Sequence, residues 1–325
     1  MGHLVYLRRL LLENAGKSAL MWLTLMKIVV PILIAVRWLD IQFNFTSRIG
    51  QLLEPLMELV GLPGATGIAW AVGMFGQGFA GFLVLAAQWD QINLTVAQAT
   101  VFALLMLQAH SLPVEVRIAQ RLGAAVAITV ITRLASAVAF AWLFNRICLA
   151  FDWLQQPARL LFAGDLQSAQ NWLDWFGNQA ASWLLLLPII FVLSIGLQLL
   201  KDLRIERFLL IALSPVLRIA GINPQAGSLV AIGMVMGLSC GGALLIREVE
   251  RGQTTRRDAF MSALLLGLCH SLIDDALFAA LFGANLLGTL AYRFVMALLL
   301  MALLAWLIRR ISLASVERWL MSRPT

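Results

Sequence analysis

Two histidines stand in the same three-residue sequence, His-Ser-Leu, in two strongly apolar parts of the chain. The first lies in LQAHSLPVEVR and the second in GLCHSLIDDAL. Each is followed by a serine, by a carboxylate five residues later and by an arginine 23 residues later: His110, Ser111, Glu115 and Arg133, then His270, Ser271, Asp275 and Arg293. Ionisable groups in apolar segments are costly and usually mark a partner or a pathway. Such groups can bind a solute, carry a proton or hold a metal ion.

Two interpretations of this set stay open. In one, each arginine neutralises its carboxylate, and the histidine bonds a nearby carbonyl, so that the set is a structural clasp. In the other, the two sets meet near the membrane midplane and form one binding site. The candidate substrate-binding residues are His110, Ser111, Glu115, His270, Ser271, Asp274 and Asp275. Arg133 and Arg293 would hold the carboxylates ionised or bind an anionic solute. The second copy, with its paired aspartates, is expected to carry more of the chemistry.

Glycine-rich stretches give a second signal. GMFGQGFAG (73–81) and GMVMGLSCGG (233–242) contain the small-residue spacing that lets helices pack closely. Alternatively, the helices loosen here and present backbone groups to a solute. In that case Gln77, Ser239 and Cys240 would line the cavity.

Metal binding and catalysis are weaker interpretations of the same residues. The histidines and acids, with Cys240 and Cys269, could in principle ligate a divalent ion. However, Cys269 and His270 are adjacent, so on a helix they point about 100° apart. Each serine directly follows its histidine, which is poor geometry for a nucleophile and its base. The sequence therefore predicts no metal, no cofactor and no enzyme activity.

The elements that position these residues are membrane helices. The chain of 325 residues is 61% hydrophobic and 13% charged, whereas soluble domains carry about 25% charged residues. Apolar runs long enough to cross a bilayer recur at 19–36, 65–87, 96–112, 124–147, 182–200, 225–246, 259–282 and 286–308. The net charge of +7 comes from arginines at the ends of such runs, so it indicates topology and not a nucleic-acid partner.

An internal duplication relates the two His-Ser-Leu sequences. At an offset of 160 residues, 61–147 matches 221–307 without a gap, with 22 of 87 positions identical. The loop 88–95 has no lysine or arginine, whereas its counterpart 248–257 has three arginines. Basic loops favour the cytoplasm, so the copies should have opposite orientations. A parallel repeat of four plus four helices is the competing topology.

These features predict an all-α integral membrane protein with two inverted-topology repeats and eight to ten membrane segments. The amphipathic stretches 41–62 and 203–222 must then cross or half-cross, which leaves both termini in the cytoplasm. The first repeat would cover 1–149 and the second 181–325. Residues 150–180, with Trp153, Trp172 and Trp175, would form a connector at the bilayer surface.

The stretch GLSCGGALLIREVERGQTTRRDAFMSALLLGLCHSLIDDALFAALFGAN (237–285) resembles the bacterial nucleoside recognition, or Gate, domain membrane proteins, which include spore maturation proteins A and B. That family carries a His-Ser/Ala-Leu/Ile-x-Glu-Asp-Thr sequence followed by a glycine. Here Asp274 replaces the glutamate, Ala276 stands in place of the threonine, and Gly283 follows. The resemblance implies a multi-pass protein of transporter type in the bacterial inner membrane.

The expected function is that of a secondary transporter or permease for a small polar or anionic solute, with proton coupling and homo-oligomers as further possibilities. Three alternatives remain, namely a divalent-metal permease, a translocase for lipids or lipid-linked substrates, and a membrane scaffold that transports nothing. The partners expected in every case are the bilayer and, except for the scaffold, the solute.

Overall fold

The computed structural model describes residues 2–161, 172–202, 211, 217–218, 222–310 and 320–321. Within this part of the chain the secondary structure is helical, with two isolated β-bridges. In the first half the helices are α1 (Gly2–Phe43), α2 (Phe45–Leu59), α3 (Thr66–Phe75), α4 (Gly78–Ala86), α5 (Trp89–Ile92), α6 (Val96–Gln108), α7 (Leu112–Arg121) and α8 (Val126–Ala150). The second half contains α9 (Trp172–Asp202), α10 (Pro224–Met236), α11 (Leu238–Glu250), α12 (Arg256–Leu268), α13 (Leu272–Leu281), a π-helical turn (Gly288–Tyr292) and α14 (Arg293–Arg310).

The prediction of an all-α membrane protein is confirmed. Five helical stretches of the described residues are long and apolar enough to cross a bilayer: Leu11–Phe43, Val126–Ala150, Trp172–Gly196, Arg256–Leu281 and Gly288–Arg310. Helices α6 and α7, bent by 43°, make a sixth if they count as one span. Large apolar side chains stay exposed on these helices, as on Leu184, Leu299 and Trp306, which suits contact with lipid.

The predicted continuous helices over 65–87 and 225–246 are wrong, because each run is broken into two short helices. A Cβ on Gly73 would lie 3.7 Å from the Cα of Gly81, and one on Gly233 would lie 3.1 Å from the Cα of Gly241. In a continuous helix, residues eight apart are separated by about 12 Å. The chain therefore reverses at Gly76–Gln77 and at Gly237, and each pair forms a helical hairpin closely packed at its glycines.

The elements of the two halves recur at the predicted offset. Helices α3, α4, α6, α7 and α8 correspond to α10, α11, α12, α13 and the π-turn with α14. Thr95 and Thr255 each cap the following helix by accepting a hydrogen bond from a backbone N–H three residues later. The duplication therefore extends to the helix boundaries.

Each half contributes a helix to the hydrophobic core of the other. Phe278 and Ala279 of α13, with Phe282 just after it, belong to the core built mainly by the first half. Ala119 of α7 and Leu122 just after it belong to the core of the second half. This exchange follows from the breaks at His-Ser-Leu, which lie between α6 and α7 and between α12 and α13.

Several predicted segments are only partly described. Residues 203–222 fall mostly outside the described part of the chain, as do 162–171 of the predicted connector. Helix α8 ends at Ala150, where the connector was expected to begin, and residues 154–161 pair with Leu94, Val96, Ala97 and Leu281 through backbone hydrogen bonds. Trp172 and Trp175 lie in the first turns of α9.

Candidate functional site

Both His-Ser-Leu sequences are helix breaks with the same backbone conformation. Ser111 has φ 48° and ψ 33°, and Ser271 has φ 45° and ψ 40°. This left-handed conformation costs a residue other than glycine about 1–2 kcal/mol. Each break leaves carbonyl groups of the preceding helix without the N–H partners that a continuous helix would supply. Both copies therefore have the same unfavourable backbone conformation at the point where the helix breaks after the histidine.

Arg133 donates a hydrogen bond from each of its three nitrogens at the first break. Its Nε donates to the carbonyl of Gln108 at 2.9 Å and its Nη2 to the carbonyl of His110 at 3.2 Å. Its Nη1 forms an ion pair with Oε2 of Glu115. The side chain is 1% exposed, so this arginine stabilises the break and the carboxylate together.

Arg293 donates hydrogen bonds from two of its nitrogens, to the second break and also across to the first half. Its Nη2 donates to the carbonyls of His270, at 3.3 Å, and Leu107, at 3.0 Å. Its Nε donates to Oε1 of Gln108 at 3.2 Å. Both arginines therefore donate to carbonyl groups of the breaks, but only Arg133 also donates to the carboxylate of its own copy.

The two histidines meet between the halves. Nε2 of His110 lies 3.3 Å from Nε2 of His270. Oε1 of Glu115 lies 3.1 Å from the first of these nitrogens and 3.4 Å from the second. The other ring nitrogens, Nδ1, contact the carbonyls of Met106 at 3.1 Å and Leu266 at 2.8 Å. The structure thus combines both predicted arrangements, since each histidine bonds a nearby carbonyl and the two sets share one site.

The two carboxylates differ in a way that the sequence did not predict. Glu115, in the first copy, contacts both histidines and Arg133. Oδ2 of Asp275 lies 3.6 Å from Nη1 of Arg293, and among the described residues neither of these buried atoms has a hydrogen-bond partner. Around the histidines, the first copy therefore supplies the carboxylate, and the expectation that the second copy carries more of the chemistry stays a prediction.

A cavity of about 390 Å³ borders the histidines. The two helical hairpins reach it with their breaks, because a Cβ on Gly78 would lie 3.1 Å from the ring of His110 and one on Gly237 would lie 2.8 Å from Oγ of Ser271. The predicted polar residues that line it are Gln77, His110, Ser111, Glu115, His270, Ser271 and Asp275. The alternative in which these glycine-rich segments loosen beside a cavity therefore agrees with the structure.

The remaining predicted residues lie elsewhere. Asp274 lines a neighbouring cavity of about 380 Å³ together with Asn14 and Lys17 of α1. Ser239 and Cys240 lie in α11, outside the residues whose side chains are described. Cys269 is buried, and it is not one of the three residues whose ligand atoms converge at the site.

Gln108 is a site residue that the sequence analysis missed. Its side-chain oxygen accepts from Arg293, its carbonyl accepts from Arg133, and its side chain is fully buried. The sequence does mark this residue, because a glutamine stands two residues before His110 in an otherwise apolar helix. The equivalent residue of the second copy is Leu268.

The comparisons with known proteins give one informative relative. The chain is 25% identical over 288 residues to the uncharacterized membrane protein YvoD of Bacillus subtilis, a match that covers 85% of this chain and 88% of that protein. No family model and no solved structure matches the chain. The relative supports a membrane protein and supplies no activity, so the Gate resemblance stays a prediction.

Proposed function

We propose that this protein is a permease that carries a small polar solute through a site shared by its two halves. The observation that carries the proposal is the meeting of His110 and His270 beside a cavity of about 390 Å³. A site at the interface between two repeats is typical of secondary transporters, in which movement of one repeat against the other exposes the site to alternate sides.

The contacts favour a cationic or neutral solute over an anionic one. Arg133 and Arg293 are the cationic groups at the site, and their donors are directed mainly to carbonyls, to Gln108 and to Glu115. In contrast, His110, His270 and Glu115 all line the cavity, and Oε1 of Glu115 lies next to a histidine nitrogen. These groups are also the candidates for carrying a coupling proton, because histidine changes charge near neutral pH.

We further propose that the repeats have inverted topology in the inner membrane, with both termini in the cytoplasm. The charges of two equivalent loops support this topology. The loop 88–95 has no lysine or arginine, whereas the loop 248–257 has three arginines, and basic loops favour the cytoplasmic side.

The other candidate functions receive less support. A scaffold that transports nothing would have a fully paired polar core, whereas here a cavity borders the histidines and Asp275 Oδ2 lacks a hydrogen-bond partner among the described residues. A lipid translocase would need a lateral opening between the repeats, whereas the polar groups that meet at His110 and His270 suit a small polar solute. Membership of the Gate family would agree with a permease, and it rests on the resemblance of 237–285.

The test is solute flux into liposomes that contain the purified full-length chain. The panel consists of Mn²⁺, inorganic phosphate, uridine and glycine, each measured alone with a radioactive tracer. We expect one of these to equilibrate in a protein-dependent way and the doubly substituted variant His110→Gln/His270→Gln to abolish that flux. The matched control is His3→Gln, which changes the remaining histidine of the chain. Flux that is absent for the whole panel, or unchanged in the doubly substituted variant, would contradict the proposal.

A further inference from the structure

We propose that Nε2 of His110, Nε2 of His270 and Oε1 of Glu115 bind one divalent transition-metal ion. The inference rests on the proposed permease function and deepens it, because the ion would be the carried solute. It can also be tested without any transport measurement.

The hydrogen-bonding state of the three atoms favours a bound cation. The carbonyls of Met106 and Leu266 can only accept, so Nδ1 of each histidine carries the proton and donates. In the neutral ring, Nε2 then presents a lone pair. Two such lone pairs and a carboxylate oxygen converge within 3.4 Å of one another. Three acceptors at this separation repel one another unless a cation lies between them.

The three atoms form a triangle of the size that a single metal ion requires. Its edges are 3.1, 3.3 and 3.4 Å. Nitrogen and oxygen ligands lie about 2.0–2.2 Å from a zinc-like ion, and angles between 90° and 109° then separate the ligands by about 2.8–3.6 Å. The triangle therefore matches one face of a tetrahedron or octahedron around a single ion. Two histidines and one carboxylate are ligands suited to Fe²⁺, Mn²⁺, Co²⁺ or Zn²⁺.

The groups around the three ligand atoms hold them in position. Metal-binding histidines usually donate their other ring N–H to a carbonyl or carboxylate, which fixes the tautomer and the ring orientation. Both histidines do so here through Nδ1. Arg133 holds Oε2 of Glu115, which leaves Oε1 directed at the histidines. The backbone breaks, the arginine and the carbonyls thus orient the ligand atoms before an ion arrives.

The charge of the site and its access to water favour a transported ion and not a permanently bound one. With ionised carboxylates, Arg133 and Arg293 balance Glu115 and Asp275, so a divalent ion adds two uncompensated charges in a buried site. That excess weakens binding. The cavity bordered by His110 leaves room for water on the open coordination positions. An ion bound by three protein ligands with an open side can exchange, as transport requires.

The test is equilibrium dialysis of the full-length protein in detergent micelles against Co²⁺, with visible absorption as a second readout. We expect one saturable Co²⁺ per chain and a spectrum that reports nitrogen and oxygen ligands. His110→Gln and His270→Gln should each weaken binding by at least about 10-fold, because each removes one ligand. His3→Gln should bind as the unchanged protein does. Tryptophan fluorescence during thermal unfolding without metal checks that each variant is folded.

The outcomes separate this inference from the permease proposal. Folded protein that binds no saturable Co²⁺, or binds it equally after both histidine substitutions, overturns the metal site. If Co²⁺ does not bind but the flux of phosphate, uridine or glycine depends on the histidines, the permease proposal stands. A proton shared between the acceptor atoms would then explain why they lie so close together. If Co²⁺ binds as expected and no panel solute crosses the bilayer, the metal site stands and the permease proposal fails.

Discussion

Removing the charge of Glu115 should have opposite effects on stability in two backgrounds. Arg133 is 1% exposed and Glu115 is 6% exposed, so neither charge can be solvated if its partner is lost. Breaking a buried pair by removing one partner costs about 3–5 kcal/mol. Glu115→Gln alone should therefore lower the free energy of unfolding by that amount. In an Arg133→Met background the carboxylate has lost its arginine and keeps its contacts with the two histidines. The same substitution should then raise the free energy of unfolding by less than about 3 kcal/mol.

The assay is reversible unfolding in mixed micelles with increasing denaturing detergent, followed by tryptophan fluorescence. Arg146→Met is the matched control, because Arg146 lies on the same helix and is exposed. Its substitution should change the free energy of unfolding by no more than about 0.5 kcal/mol. If Glu115→Gln destabilises the protein equally in both backgrounds, Arg133 and Glu115 are not a buried pair and the description of the site is wrong.

Three further predictions concern the residues around the histidines. Ser111→Gly should leave the free energy of unfolding unchanged or raise it by up to about 1 kcal/mol, because glycine adopts the left-handed conformation without strain. If the same assay shows a decrease of more than about 1 kcal/mol, Ser111 does not have the left-handed conformation. Gly78→Ala places a methyl group 3.1 Å from the ring of His110, so Co²⁺ affinity measured by dialysis should fall while the protein stays folded, and unchanged affinity would refute the close contact. Gln108→Leu removes the acceptor of Arg293 Nε and should lower the free energy of unfolding by about 1.5–3 kcal/mol. Unchanged stability would show that Gln108 does not bridge the two arginines.

The duplication made much of the site predictable. Because identical residues recur at a fixed offset, His110 and His270 could be paired from the sequence alone, and their arginines with them. The helix breaks were partly predictable, since Pro113 follows the first His-Ser-Leu directly. The break after His270 has no proline, so only its likeness to the first copy pointed to it.

The hairpins and the exchange of helices could not be predicted in the same way. Hydropathy gives the length of an apolar run but not a reversal inside it, and α3 with α4 has the same apolar character as one continuous helix. The exchange of α7 and α13 depends on the direction in which the chain leaves each left-handed serine. That direction is set by tertiary packing, such as Phe79 and Phe82 of α4 against Phe278. No local pattern in the sequence encodes such contacts.

The central claim is that His110 and His270, one from each half, share a single site. The most direct measurement is cross-linking in native membranes of the pair His110→Cys/His270→Cys, with the three natural cysteines replaced by alanine and a protease site placed in 162–171. A short bis-thiosulfonate reagent should keep the two halves joined after proteolysis, because the histidine rings lie 5.1 Å apart. The control pair Asn93→Cys/Gln253→Cys, at equivalent positions of the two loops, should stay uncross-linked if those loops face opposite sides. The account is contradicted if the two halves of the His110→Cys/His270→Cys variant separate after proteolysis, although both cysteines react with a single-ended reagent.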